Sequence, residues 1–502
     1  MYKYSLRLIS LLLTIVMLVN MLPLSVFAAE TNPISTTEPI IDAPEATDDT
    51  HVIAELSEKR TEYTKEFRLS NGLHMAVVYA DPVHYEKDGH WAEIDNTLKT
   101  SGTGTDAVLT NTAGVWDVRF PQQLSDTNAV TITKDGYTLS FFMSGQLRSS
   151  IGGGHIFTEE MGSLDTFSTG DETYEVHAAS TVTAQVQEID LTEAKAQAKH
   201  PETVIDKNYS RVSYTDLYAN TDVVYDLISN NVKESIIIDA YDPSVQGYRY
   251  TLNVGNMVPV LTDNNEILLY DENQENVIMV MPAPYLEDAA GEYCDDVAIT
   301  LFGKGETWIL AYTLPQEWMA DESRSYPVIL DPMVTADSAG SNIEDLSVYE
   351  WDPEDYTENR LDVGRNAKHG TMRAFIKFLN LPALGTGDVV VDATLTLYHF
   401  ALGYIVTPIT VHKVKQDWTE TTMTWANQPE HDTHASDYNA PEAAGDFYWD
   451  VTEIVRSWYE EGNRGLMLRV SDAREAYNTA YSSQHQFYSK ASKYHPPIRK
   501  WT

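Results

Sequence analysis

The sequence predicts a mainly β protein: several β-rich domains, with one short amphipathic helix near the C-terminus. Short runs that alternate apolar and polar residues recur along the chain, and helix-period segments are rare. Turn signals fall between these runs, among them Asn71-Gly72, Asp88-Gly89 and Asp135-Gly136. No 20–50-residue internal repeat is evident, which argues against a solenoid.

The chain has 502 residues, and 34 Lys+Arg against 75 Asp+Glu give a net charge of −41. At about 100–200 residues per domain, this length holds about three domains. Such acidity excludes nucleic-acid binding by the chain as a whole, because neutralising phosphate needs clustered Lys and Arg. The single cysteine, Cys294, excludes an intramolecular disulfide framework and any Cys-based zinc site. It reads as a buried or half-buried small hydrophobe.

From the N-terminus, Lys3 and Arg7 precede an apolar run from Leu8 to Leu22, and Val26-Phe27-Ala28 places small residues before a cut after Ala28. Residues 1–28 are therefore expected to be a secretory signal peptide. No second apolar run of about 18 residues follows, so membrane insertion after signal cleavage is not expected. Residues 29–57 open on a Thr-, Pro- and acid-rich stretch and read as a linker. Strands are expected at Leu73–Tyr79, Ala129–Thr133 and Tyr137–Phe142 in an acidic β-rich domain over 58–200. Leu191–Lys199 is rich in helix formers and is followed by Pro201, so it reads as a helical connection.

A second β-rich domain over 201–335 carries runs at Ser235–Asp239, Tyr248–Val254, Glu266–Tyr270 and Val277–Val280. It closes on Val328 to Asp331, bracketed by Pro327 and Pro332, which cannot extend a ladder. Residues 336–502 hold six of the ten tryptophans and only 15 basic against 24 acidic side chains, so most of the acidity lies N-terminal to them. Strands are expected there at Arg373–Phe378, Val389–Tyr398, Ile409–Val414 and Leu466–Val470. The amphipathic helix follows Asp450 as N-cap with Glu453 as its capping-box partner, and it turns Val451, Ile454, Val455, Trp458 and Tyr459 to one side ahead of Gly462. Trp458 is read as core.

The run Met372 to Phe378 with Leu381-Pro382, then Val391 to Tyr398, resembles the opening strands of the DNRLRE-type carbohydrate-binding modules. Asp417-Trp418-Thr419-Glu420-Thr421-Thr422-Met423-Thr424-Trp425-Ala426-Asn427-Gln428-Pro429 is similar to the most distinctive signature of that family, as are Trp449-Asp450-Val451-Thr452 and Gly465-Leu466. The resemblance covers the last third of the chain. It implies a jelly-roll-like β-sandwich that binds polysaccharide, of the type found in secreted, wall-associated and Rhs-type bacterial proteins. The sequence departs from the family at its end, where Pro496-Pro497 leads into Ile498-Arg499-Lys500-Trp501-Thr502, and it lacks Tyr-Asp-rich repeats. Asp81 to Tyr85, Gly89 to Leu98 and Tyr214 to Glu234 resemble, more weakly, segments of the same wall-associated proteins.

Sugar binding needs flat aromatic faces and planar polar groups on a rigid surface. The candidate platforms are Trp351, Tyr356, Trp418, Trp425, Tyr438 and Tyr448. A core role competes for each, most strongly for Trp425, and Trp418 is open between the two. Asp352, Glu354, Asp355 and Asp362 form a carboxylate group that a structural calcium ion could bridge, although EF-hand spacing is absent and a solvated acidic loop is the competing reading. No cofactor is required by any motif. His431 and His434 lack a third zinc ligand, and Gly152-Gly153-Gly154-His155 reads as a flexible turn.

No HExxH, GxSxG or Walker loop is present, and nothing nominates a catalytic residue. The expected function is that of a secreted, non-enzymatic protein that binds an extracellular or cell-wall polysaccharide through its C-terminal sandwich. Two alternatives stand beside it: a structural or delivery part of an Rhs-type wall-associated toxin system, and a polysaccharide-degrading enzyme with its active site in 58–335.

Overall fold

A computed structural model describes residues 50–124, 128–149, 166–169, 172–187, 195, 203–205, 207–335, 342–351, 360–403, 405–476, 482–490 and 498–501. The expected signal peptide, all but the end of the expected linker, the expected helix Leu191–Lys199 apart from Lys195, and the glycine run at 152–155 lie outside them. The described residues are mainly β, in large antiparallel sheets with few helices.

Local sequence accounts for the hairpins. Asp88 and Gly89 have φ of 53° and 76°, and Asp135 and Gly136 have 51° and 85°. Two successive left-handed residues make the tight turn whose twist matches that of the flanking strands. These turns join His84–Lys87 to His90–Glu93 and Val130–Lys134 to Tyr137–Ser149.

The middle of the chain forms two sheets around one core. One is ten-stranded, and its central pair joins Tyr137–Ser149 to Val245–Asn253. The other is eleven-stranded and is built on Tyr209–Tyr218, Thr221–Ile228 and Asn231–Ile238. Phe120, Phe141, Tyr214, Tyr225, Tyr248 and Tyr250 are buried together between them. Strand pairing and core thus run across the boundary expected at 200/201. The proline-bracketed strand Val328–Asp331 pairs with Asn231–Ile238.

A thirteen-stranded sheet system makes the C-terminal sandwich. Its strands are β1 (Val52–Glu55), β2 (Thr64–Leu69), β3 (His74–Val78), β4 (Ile343–Tyr349), β5 (Arg360–Asn366), β6 (Gly370–Phe378), β7 (Ala393–Leu402), β8 (Ile409–Lys413), β9 (Asp437–Asn439), β10 (Gly445–Asp450), β11 (Leu466–Val470), β12 (His485–Tyr488) and β13 (Ile498–Trp501). The path runs β1-β2-β3-β13-β7-β12-β5-β6-β11-β8-β9, with β4 beside β6 and β10 beside β7. The first three strands lie within or beside the region expected to form the acidic domain over 58–200, yet β13 seats between β3 and β7. Ala76, Val78 and Ala80 share one core with Phe378, Leu395, Trp449 and Trp458. Fully burying aliphatic and aromatic side chains of this kind contributes about 1.5–3 kcal/mol each.

The helix α1 (Thr452–Glu461) lays Ile454, Val455 and Trp458 into that core, as its periodicity requires. Its N-cap is Val451, one residue later than expected. Asp450 still serves the helix start, because its Oδ1 accepts from the Thr452 amide at 2.8 Å and from the Thr452 hydroxyl at 2.6 Å. Glu453 pairs forward with Arg456 and does not close a capping box.

Candidate carbohydrate-binding face

Strand β7 alternates buried Ala393, Leu395, Leu397 and His399 with half-buried Thr394, Thr396 and Tyr398. In β12, His485 and Phe487 point in, while Gln486 and Tyr488 point out. In β10, Trp449 is buried and Asp446, Tyr448 and Asp450 are exposed. The register sets Tyr448 opposite Thr396 and Asp446 opposite Tyr398. Tyr398 lies 5.7 Å from Tyr488, and Phe400 stacks on Tyr488 at 4.5 Å. One outer face of the sandwich therefore carries a row of rings, half-buried at Tyr398, Phe400 and Tyr488 and exposed at Tyr448, with carboxylate and amide groups beside them. Burial, with help from Asp446, pushes the Tyr448 phenol up, so it stays a neutral hydrogen-bond donor.

The inner side of the same strands holds this row in place. The His399 and His485 rings face each other with Nε2 and Nδ1 3.3 Å apart, and His399 Nδ1 lies 2.7 Å from the Ala443 carbonyl. Burial drives His485 down to about 3 and lowers His399 as well, so the two rings pack on each other as neutral groups, and His399 also packs against Phe487. Trp449 Nε1 donates to Ile409 O at 3.0 Å, tying the two sheets together.

The expected platforms divide. Tyr438 and Tyr448 are exposed on β9 and β10, which are held side by side by Asn439 Nδ2 donating to Tyr448 O and by the Asp450 amide donating to Asp437 Oδ2. Trp351 is 48% exposed, with the Arg365 guanidinium 4.8 Å from its ring centre. Trp418 is not a platform. It is 7% exposed, meets Phe375 edge-on, donates Nε1 to Arg464 O at 2.8 Å and lies under the Lys377 ammonium. Trp425 packs half-buried on the same small core, covered by Arg373 at 5.0 Å. The signature segment 417–429 thus builds a second core over the outside of the β6–β11 pair and offers no sugar surface from these two rings.

Tyr356, Asp352, Glu354 and Asp355 lie outside the described residues. Asp362 is buried on the face of the sheet that it shares with its register partner Gln486, opposite to the core residues Leu361 and Val363, and Tyr349, Arg360, Gln484 and Gln486 all donate to its carboxylate. Those donors leave it as the anchor of a side-chain network, not a ligand offered from a loop. His431 and His434 do not converge. His431 packs against His412 with ring centres 5.5 Å apart, and burial followed by the charges of Arg373 and Arg469 holds it down to about 4, while His434 is exposed. Glu475 takes bidentate bonds from Arg373 and from Arg469 at this point. Cys294 is half-buried, and burial pushes its thiol up.

Tyr398, Phe400 and Tyr488 were not anticipated from the sequence. The alternation of β7 turns Tyr398 outward, but nothing local brings Tyr488 to it across some ninety residues.

Residues 354–492 match the model of carbohydrate-binding module family 96. The module so defined contains β5 to β12 and α1, and with them the entire ring row. Its match leaves out β1 to β4 and β13, which complete the sandwich here. Across 94% of its length the chain is also 23% identical to the tRNA(Glu)-specific nuclease WapA of Bacillus subtilis subsp. natto (strain BEST195), covering 19% of that protein. The tRNA nuclease WapA of Bacillus subtilis (strain 168) is likewise 23% identical over 94% of this chain, which covers 20% of it. The chain therefore spans about a fifth of the length of the curated relatives it matches. These relatives withdraw support from the exclusion of nucleic acid as a partner, because net charge describes the average surface and not a local site. Among the described residues, no helix is long and apolar enough to cross a membrane.

Proposed function

We propose that this is a secreted, non-catalytic protein that holds an extracellular or cell-wall polysaccharide on the outer face of β10, β7 and β12. The observation that carries the reading is the coincidence of the carbohydrate-binding family match with the row Tyr448, Tyr398, Phe400 and Tyr488. Rings of this kind cover the C–H side of a sugar, while the Asp446 carboxylate and the amide oxygen of Gln486, whose nitrogen is bonded to Asp362, can accept from hydroxyls. Retention of the full chain on purified wall glycans and a polysaccharide panel tests it. Tyr398→Ala and Tyr488→Ala are each expected to weaken retention by about two- to twelvefold, as the loss of a stacking contact worth about 0.5–1.5 kcal/mol implies. No retention of the folded protein on any glycan overturns the proposal.

A second reading has a specific observation behind it, the alignment of nearly the whole chain with proteins named as tRNA nucleases. In that reading the chain is the structural or delivery part of an Rhs-type wall-associated toxin system, with cleavage of tRNA belonging to other segments. An adjacent downstream frame encoding Tyr-Asp repeats supports it. Cleavage of tRNA by this chain alone refutes it.

A further inference from the structure

We propose that Glu55, His84 and Glu93 form a binding site for a divalent transition-metal ion of the zinc class. Glu55 ends β1, and His84 and Glu93 open and close the hairpin that follows β3. Three separate strands thus bring one donor each, and those donor atoms all lie within 4.8 Å of one another.

The decisive feature is the imidazole. His84 is fully buried, and its Nδ1 lies 2.6 Å from the Thr61 carbonyl oxygen. A carbonyl can only accept, so Nδ1 carries the proton and Nε2 presents a lone pair. That Nε2 has no hydrogen-bond partner and faces Glu55 Oε1 at 4.0 Å. A buried lone pair needs an electrophile or a donor; Glu55 Oε1 has one in Arg60, and the imidazole nitrogen has none. Imidazole nitrogen with two carboxylates is a zinc-type donor set, whereas calcium and magnesium take oxygen alone. Bonds of about 2.0–2.2 Å in a tetrahedron put donors roughly 3.4 Å apart, so closing the site asks for side-chain shifts on the order of 1 Å.

Two cations compete for the same oxygens. Arg60 Nε lies 2.6 Å from Glu55 Oε1, and its guanidinium reaches Glu93 Oε1 at 3.4 Å. Lys65 Nζ is 2.6 Å from Glu93 Oε1 and 4.0 Å from Glu55 Oε2. Glu55, Lys65 and Glu93 also line a cavity of about 550 Å³, together with Ile205 and Lys207. Lys65 can swing into that cavity as an ion takes its place, and the cavity leaves room for a further ligand on the metal. A bound ion would fasten β1 to the hairpin.

Calorimetric titration of the full chain with zinc in excess magnesium, together with the visible d–d bands of cobalt(II), tests the site. One zinc per chain and tetrahedral cobalt bands are expected. Glu93→Gln, at a partly exposed position, is expected to weaken zinc at least tenfold, and His84→Gln to abolish the cobalt bands. Lys65→Met, which removes the competitor, is expected to tighten zinc several-fold and to raise the zinc-dependent gain in melting temperature. Absence of stoichiometric binding in both the wild type and Lys65→Met overturns the proposal and leaves a buried water as the partner of Nε2. Zinc binding that is indifferent to Glu93→Gln and Lys65→Met also overturns it.

Discussion

Replacing Val78 by Ala tests whether β1 to β3 are an integral wall of the C-terminal sandwich. Val78 is completely buried, pairs with Arg499 of β13, and packs in the cluster that holds Leu395 and Trp449. Removing its two methyl groups loses about 1.6 kcal/mol at about 0.8 kcal/mol each. A residual cavity of about 40 Å³ adds about 1 kcal/mol at roughly 24 cal/mol per Å³. The sum, about 2.5 kcal/mol, corresponds to about 70-fold faster exchange for amides that open only when the whole unit unfolds. Hydrogen exchange read by mass spectrometry on peptides spanning β7 and β13 is the direct assay, because β7 begins more than three hundred residues after Val78. Acceleration there, with the strands Tyr209–Tyr218 and Thr221–Ile228 unchanged, is the expected result. If exchange rises only within β1 to β3 while β7 stays protected, the hairpin is an appendage and the reasoning fails.

Other outcomes follow from buried charge. Glu475→Gln removes the carboxylate that two part-buried guanidiniums share, and it is expected to cost about 3–5 kcal/mol, read as a lowered thermal midpoint. Glu234 is buried with the Tyr225 hydroxyl 2.5 Å away, and burial raises its carboxyl to about 7. Its folded value lies above the unfolded one, so the native state binds the extra proton between about pH 4.5 and 7 and loses stability as pH rises through that window. Glu234→Gln mimics the protonated form, so its urea midpoint should match the wild type near pH 5 and exceed it at pH 8.

Local order was legible in the sequence wherever two neighbouring residues decide it. The Asp-Gly turns, the alternation of β7 and the buried stripe of α1 each follow from short-range sterics or from one apolar period. Strand partnership did not, because β3 joins β13 through complementary surfaces that no window of sequence contains. The candidate face was half legible for the same reason. Tyr438 and Tyr448 are outward on short strands and were anticipated, whereas the Tyr398–Tyr488 pair depends on β12 lying against β7. Trp418 shows the limit from the other side, since its indole could serve a sugar or a core. What settles the matter is Phe375 and the Arg464 carbonyl, both distant in sequence.

The seating of β13 beside β3 has a mechanical consequence. Val52 lies opposite Leu69, His74 opposite Arg68, and Trp501 opposite Ala76, so the start of β1 and the finish of β13 emerge at one end of the sheet. Three strand spacings of about 4.8 Å separate them, roughly 14 Å. Tension applied between those two points would pull the ladder open like a zip, one hydrogen-bonded pair at a time, and would not shear all pairs together. Until that short clasp peels, none of the pull reaches the two sheets enclosed in the loop of chain between, so the protein behaves under load as a closed ring with a weak link.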